Sequence, residues 1–148
     1  MKKAQLSFTV LFVLFSTFIF AQNSNFNIIG TWNSVDSSNN ENKTIFSKDG
    51  YITMTINGEE IDGRNFIIHG GPNDGEKAEL KYAINLNTNP IQIDLIALKN
   101  NEEKGRLKGI LIVSDSNHFT MAMHFDGTRP ENINEEEKNN IIVLSRIE

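Results

Sequence analysis

The segments Gly30-Thr31-Trp32 and Leu144-Ser145-Arg146 lie near the two ends of the chain, and they decide its fold. Trp32 is the single tryptophan, and it lies in the first run of residues with strand character. Arg146 lies in the last such run. This placement predicts that the first and last strands are neighbours, with the guanidinium within about 6 Å of the indole. Pairing of these two strands would close the sheet into a barrel.

The residues between these segments form short β-rich runs separated by turn residues. Asp49-Gly50 and the segment 114–117 each join two runs, which is typical of β-hairpins. The runs span 28–35, 43–47, 51–56, 65–68, 79–85, 91–98, 106–113, 118–125 and 141–147. We predict an all-β domain, an antiparallel up-and-down meander of about eight strands closed into a barrel, because closure removes exposed strand edges. Residues 129–138 fit a short surface helix or a loop equally well.

Alternation along the run 118–125 separates an apolar face from a more polar one. Phe119, Met121, Met123 and Phe125 fall on one face, and His118, Thr120, Ala122 and His124 fall on the other. The first face is predicted to point into the barrel. It lines either a solid core or a cavity for a small ligand, since barrels of this size allow both.

The order of several motifs resembles a known family. Gly30-x-Trp32 and the late Arg146 resemble the calycin or lipocalin-like barrels. More narrowly, the chain resembles a family of uncharacterised exported bacterial domains with a lipocalin-like fold. The motifs are Phe46-x-x-Asp49-Gly50, Tyr82-x-Ile84, Pro90-x-x-Ile93-Asp94, Gly109-Ile110, Asp115, Arg129-Pro130 and Leu144-Ser145-Arg146. The resemblance implies a lipocalin-like β-barrel in which Trp32 packs across the closed end, Arg146 lies over it, and Gly30, Trp32 and Arg146 are structural. It implies no catalytic residue.

The first residues have the pattern of a secretory signal peptide. Lys2 and Lys3 precede an apolar run from Phe8 to Phe20, and Ala21-Gln22 follows. A membrane-spanning helix needs roughly 20 apolar residues, so this run is short for an anchor, which is the alternative. We therefore expect a signal peptide over 1–21, a barrel domain over 22–148, and an exported protein that is periplasmic or secreted. No stable membrane insertion is expected after signal removal.

Composition excludes several classes of function. The formal net charge is −5 and there is no cysteine. Without cysteine there is no thiol catalysis and no thiolate metal site. Negative charge without a basic cluster disfavours nucleic acid partners.

The histidines and one glycine-rich loop are the remaining candidates for metal or anion binding. His118 and His124 are six positions apart on one strand, or roughly 20 Å, too far to share an ion. The loop His69–Gly75 carries Asp74, but its spacing matches no calcium loop, and a plain connection is favoured. We predict no metal site and no cofactor.

Asp94 interrupts an apolar run and needs a partner if it is buried. Arg106, Arg129 or a backbone turn are the expected partners. An outward-facing or structurally paired carboxylate is favoured, and a general acid or base is the alternative.

These observations favour a binding module. The predicted ligand-binding residues are Phe119, Met121, Met123, Phe125 and Tyr82, and the histidines are expected to take no part. The predicted ligand is a small apolar or amphipathic molecule. The alternative is a structural or interaction protein of the cell envelope with a packed barrel and no small ligand. An enzyme is the least favoured class, and no catalytic residue is predicted.

Overall fold

The computed structural model describes residues 26–35, 39–56, 58–134 and 140–147. The predicted signal peptide lies outside these described residues. The described chain forms ten strands, and it includes a short 3-10 turn at Gly71–Asn73. The strands are β1 (Gly30–Val35), β2 (Glu41–Phe46), β3 (Ile52–Ile56), β4 (Glu59–Ile61), β5 (Phe66–Ile67), β6 (Lys77–Asn85), β7 (Ile91–Lys99), β8 (Glu102–Asp115), β9 (His118–His124) and β10 (Ile141–Arg146). The described part contains no helix with the length and apolar composition that crossing a bilayer requires.

The strands form one antiparallel sheet in the order β4-β3-β2-β1-β10-β9-β8-β7-β6-β5. Strands that are neighbours in sequence pair with each other, except β4 and β5, which form the two edges of the sheet. In addition, β1 pairs with β10, with Trp32 opposite Arg146 and Ser34 opposite Leu144. The prediction that the first and last strands are neighbours is confirmed. The fold is therefore an all-β, nearly closed antiparallel barrel.

The strand count differs from the expectation of about eight, since the sheet contains ten strands. The strand that pattern analysis misses is β4, which begins with Glu59 and Glu60. Two acidic residues give this segment little intrinsic β-propensity. Its conformation is set instead by pairing with β3, in which Ile61 lies opposite Met54.

The two halves of the sheet meet where β3 approaches β6. Tyr51 and Lys81 form an isolated antiparallel bridge. The Tyr82 amide donates to the Gly50 carbonyl at 2.9 Å, and the Leu80 amide donates to the Gly63 carbonyl at 2.7 Å. A Cβ at Gly63 would overlap the carbonyl oxygens of Ile52 and Leu80. Only glycine fits in this gap, so Gly63 is a condition of closure.

One end of the barrel, here called the Trp32 end, is filled by aromatic rings. Trp32 is 0 % exposed, and its indole nitrogen donates to the Ile28 carbonyl at 2.8 Å. The Phe119 ring packs edge-on at 4.6 Å from the indole and at 5.5 Å from Phe26. Phe26 and Ile28 are buried in the same core cluster. The segment before β1 thus covers this end.

Arg146 lies over Trp32, as the sequence predicts. Its guanidinium carbon is 4.1 Å from the indole centroid. The guanidinium also donates to the carbonyls of Asn27 at 2.5 Å and Ile29 at 3.1 Å. A Cβ at Gly30 would lie 2.7 Å from Arg146 Nη1, and Gly30 has a φ of +139°. Gly30 therefore makes room for the arginine that ties the first strand to the last.

Beyond β9 the chain crosses the outer face of the sheet. Arg129 donates to the Gly109 carbonyl at 2.6 Å and to the Ile93 carbonyl at 3.3 Å, so this segment lies against β8 and β7. Ile110 and Ala122 point outward yet are 2 % and 4 % exposed. Residues 126–134 contain no helix, which favours the loop interpretation for them. Residues 135–138 of that predicted segment lie outside the described ranges.

Removal of the indole should destabilise the barrel strongly. We expect Trp32→Ala to lower the free energy of unfolding by roughly 3–5 kcal/mol, because it leaves a large cavity. Phe125→Ala is the matched control: Phe125 is 70 % exposed, so its loss should change stability by about 0.5 kcal/mol or less. Thermal and urea unfolding would measure both. Equal melting of the two variants would contradict a structural role for Trp32.

Glycine at position 63 should be required for closure. We expect Gly63→Ala to cost about 1–3 kcal/mol, because its methyl group must displace the backbone of β3 or β6. Gly105→Ala is the control, since no atom lies within 4 Å of a Cβ there. Chemical denaturation of both variants tests this, and a Gly63→Ala protein as stable as the unmodified chain would disprove the constraint.

Candidate ligand-binding site

The end of the barrel opposite Trp32 is lined by inward-facing apolar side chains that remain only partly buried. They are Met54, Ile61, Phe66, Leu107 and Ile142. We call this the Met54 end. Register places them on the inner face, because Met54 pairs with Ile61 and Phe66 pairs with Ala78. Among the described residues, no connection between strands at this end adds a side chain to the core cluster.

One wall of the Met54 end is built from small residues. Ala78 on β6, Ala97 on β7 and Gly109 on β8 share the inner face with core residues of the same strands. A Cβ at Gly109 would lie 3.0 Å from the Met123 Cε, so the methionine packs over the glycine. The Met123 side chain thus occupies the space over Gly109, and methionine side chains can adapt to a neighbour that displaces them.

A pair of hydroxyls faces the interior between the two ends. Thr44 pairs across the sheet with Trp32 on one side and Met54 on the other, so it shares their inner face. Its Oγ1 lies 3.3 Å from the Ser34 Oγ. Each of the two residues is 3 % exposed. The lining of the Met54 end therefore has an apolar rim and a polar group deeper inside.

The five predicted ligand-binding residues do not form one site. Phe119 belongs to the aromatic cluster of the Trp32 end, and it is 1 % exposed. Met121 and Met123 are 1 % and 5 % exposed and lie on the inner face between the two ends. The inward placement predicted for Phe125 is wrong: β9 ends at His124, alternation stops there, and Phe125 is 70 % exposed.

Tyr82 faces inward but is anchored to the wall. Its ring packs edge-on against Phe46 at 5.1 Å, and its hydroxyl donates to the Ser47 carbonyl at 2.9 Å. Burial raises the pKa of its phenol further above the physiological range. Tyr82 therefore supports the fold near the junction of β3 and β6.

Asp94 is an outward-facing, structurally paired carboxylate, as favoured from the sequence. Its Oδ1 lies 2.6 Å from Arg129 Nη2 and its Oδ2 lies 2.6 Å from Arg106 Nη1. Hydrogen bonds to Glu103 and, to a smaller extent, to Asp94 raise the pKa of Arg106. Both carboxylate oxygens bind guanidinium groups, so the geometry is that of an ion-pair network rather than a general base.

The histidines lie away from the interior. His118 Nδ1 lies 2.9 Å from Asp115 Oδ1, and His124 Nδ1 lies 2.8 Å from Thr128 Oγ1. In the described ranges no three His, Asp or Glu side chains are grouped as metal ligands. In the loop His69–Gly75, the Asp74 carboxylate accepts a hydrogen bond from its own turn, at the Gly70 amide.

Two open recesses adjoin the Met54 end. One, of about 320 Å³, is lined by His124, Phe125, Asp126 and Asn140. The other, of about 400 Å³, lies beside the turn after β7 and includes Arg64, Lys77 and Lys99. Their linings are mainly polar and include outward-facing positions such as His124 and Lys77, so these recesses are not part of the apolar interior.

Comparison with known proteins finds no matching family model, no matching curated protein and no matching solved structure. The candidate site therefore depends on the geometry of this chain alone. Four residues of the candidate site were not predicted from the sequence: Met54, Ile142, Ser34 and Thr44. Alternation within β2 and β3 could have placed Thr44 and Met54 on inner faces, but only the register brings them opposite each other.

The Asp94 network should stabilise the fold more than an exposed ion pair does. We expect Asp94→Asn to cost about 1–3 kcal/mol, because it weakens two charge-assisted hydrogen bonds of a carboxylate that is 14 % exposed. Asp49→Asn is the control, since Asp49 and Arg64 are 54 % and 55 % exposed. Water and salt screen that pair, so its loss should be smaller. Urea midpoints of both variants test this, and equal shifts would contradict it.

Proposed function

We propose that this domain is an exported, lipocalin-like barrel that binds a small apolar or amphipathic molecule at its Met54 end. The observation that carries the proposal is the partial exposure of five inward-facing apolar side chains at that end. Apolar groups that face a barrel interior without complete burial favour an apolar occupant, because its binding removes their remaining surface from water.

The contrast between the ends supports the position of the site. At the Trp32 end, Phe119, Leu144 and Trp32 are at most 1 % exposed, and the rings of the cluster pack edge-on. This end is a packed core that holds the barrel. At the Met54 end, one wall carries the small residues Ala78, Ala97 and Gly109, with the adaptable Met123 side chain packed over Gly109. The rigid end fixes the positions of the strands that present the site.

Export is part of the proposal and depends on the sequence alone. The segment Met1–Ala21 has the charged start, apolar run and small-residue end of a signal peptide. A binding module in the periplasm or outside the cell would encounter small apolar molecules there. The absence of cysteine leaves its stability to the core cluster and to the Arg146 contacts.

The packed envelope protein is the second candidate, and the outer face favours it. Ile112 and Val143 are 44 % and 48 % exposed, and both pair with Thr120 across β8, β9 and β10. This short apolar row points outward from the sheet. A barrel with no ligand could use the row to contact another protein.

Binding of the uncharged fluorescent probe N-phenylnaphthylamine distinguishes the two candidates. We expect the probe to bind the mature domain, and Ile142→Ala to weaken binding about tenfold, as expected for the loss of roughly two buried methylene groups. Val143→Ala is the matched control: it is the next residue of the same strand, and it faces outward. It should leave the affinity unchanged.

Two results would count against the ligand-binding proposal. Failure of the folded wild-type domain to bind the probe would favour the envelope interaction protein. Equal weakening by Ile142→Ala and Val143→Ala would place the probe outside the barrel. Trp32 fluorescence and thermal unfolding would check that both variants remain folded.

A further inference from the structure

We infer that the ligand carries an uncharged hydrogen-bond acceptor, such as a ketone, ester or amide oxygen, and that the Ser34–Thr44 hydroxyl pair binds it. This inference rests on the proposed function, because it assigns the polar part of the molecule bound at the Met54 end.

The hydroxyl pair is unusual in its surroundings. Among the described residues, Ser34 and Thr44 are the buried polar side chains, each 3 % exposed. Their neighbours on the inner face are apolar: Ser34 lies opposite Leu144, and Thr44 lies opposite Trp32 and Met54. Burial of a hydroxyl among apolar groups costs free energy unless its hydrogen bonds are made.

The hydrogen bond between the two hydroxyls does not use all of their hydrogen-bonding groups. Each hydroxyl has one hydrogen and two acceptor lone pairs. The 3.3 Å bond between the two oxygens uses one hydrogen, from either residue. In the described part of the chain, neither side chain makes another hydrogen bond. One hydroxyl hydrogen therefore remains for an acceptor that the described chain does not supply.

The position of the pair matches a ligand that enters at the Met54 end. Thr44 lies between Trp32 and Met54, so the hydroxyls are at the inner limit of the site, where the packed core begins. A molecule inserted with its acceptor first would reach the free hydrogen, while its apolar part would contact Met54 and Ile142. Movement of flexible methionine side chains would give it access.

The acceptor is inferred to be uncharged. Arg146, the guanidinium on the inner face of β10, stacks on Trp32 at the other end of the barrel. The outer guanidinium groups of Arg106 and Arg129 are bound by Asp94. Among the described residues, no cationic side chain is hydrogen-bonded to Ser34 or Thr44. A carboxylate bound there would lack a compensating charge, which is costly in an apolar interior.

The test compares two ligands of similar shape, acetophenone and cumene, which differ mainly in the carbonyl oxygen. Each is titrated against the bound fluorescent probe, and the ratio of their dissociation constants is measured. We expect the double variant Ser34→Ala/Thr44→Val to reduce the preference for acetophenone about fivefold relative to wild type, as for the loss of one neutral hydrogen bond. Each single variant leaves one hydroxyl hydrogen and should retain the preference, as should Thr44→Ser. Asn33→Ala, an outward neighbour on β1, is the control.

The outcomes separate this inference from the proposed function. If the probe binds but the double variant leaves the ligand preference unchanged, the hydroxyl pair is structural and only this inference fails. If both ligands weaken equally, the variants have altered the apolar site, and the inference also fails. If the wild-type domain binds no probe, the proposed function fails and this inference fails with it.

Discussion

Pairing of the first strand with the last is the interaction on which the rest of this structure depends. Trp32 and Arg146 lie opposite each other, and the guanidinium both stacks on the indole and binds the backbone before β1. The indole in turn packs against Phe119 of β9. One junction thus joins the start and end of the chain to its penultimate strand, and it converts an open meander into a nearly closed barrel.

The second constraint lies on the opposite side of the barrel, where closure depends on space rather than attraction. Gly63 fits between Ile52 of β3 and Leu80 of β6 only because it has no side chain. The bridge between Tyr51 and Lys81 continues this contact. The two ends of the barrel differ in their packing. Aromatic rings fill the Trp32 end, whereas partly buried side chains line the Met54 end. The packed end provides rigidity, and the Met54 end presents partly buried apolar groups around a buried hydroxyl pair.

Charge is kept on the outer face. Asp94, Arg106 and Arg129 tie the segment after β9 to β7 and β8, and this segment lies over outward-facing Ile110. These three side chains pair with one another outside the barrel. Among the described residues, no charged side chain is buried in the interior. Since the Arg146 guanidinium is confined to the Trp32 end, the two hydroxyls are the buried polar side chains among the described residues.

The sequence by itself determined the all-β class, the hairpins, the meeting of Trp32 with Arg146 and the inner face of β9 from Phe119 to Met123. These features follow from local patterns: turn chemistry, alternation with a period of two, and rare side chains near each terminus. Only the tertiary structure decided that β4 is a strand, that Phe125 lies outside, and that Thr44 lies beside Ser34 below Met54. The physical reason is that these depend on register and on where a strand ends. Register is set by contacts between strands distant in sequence, and a single strand's pattern does not contain them.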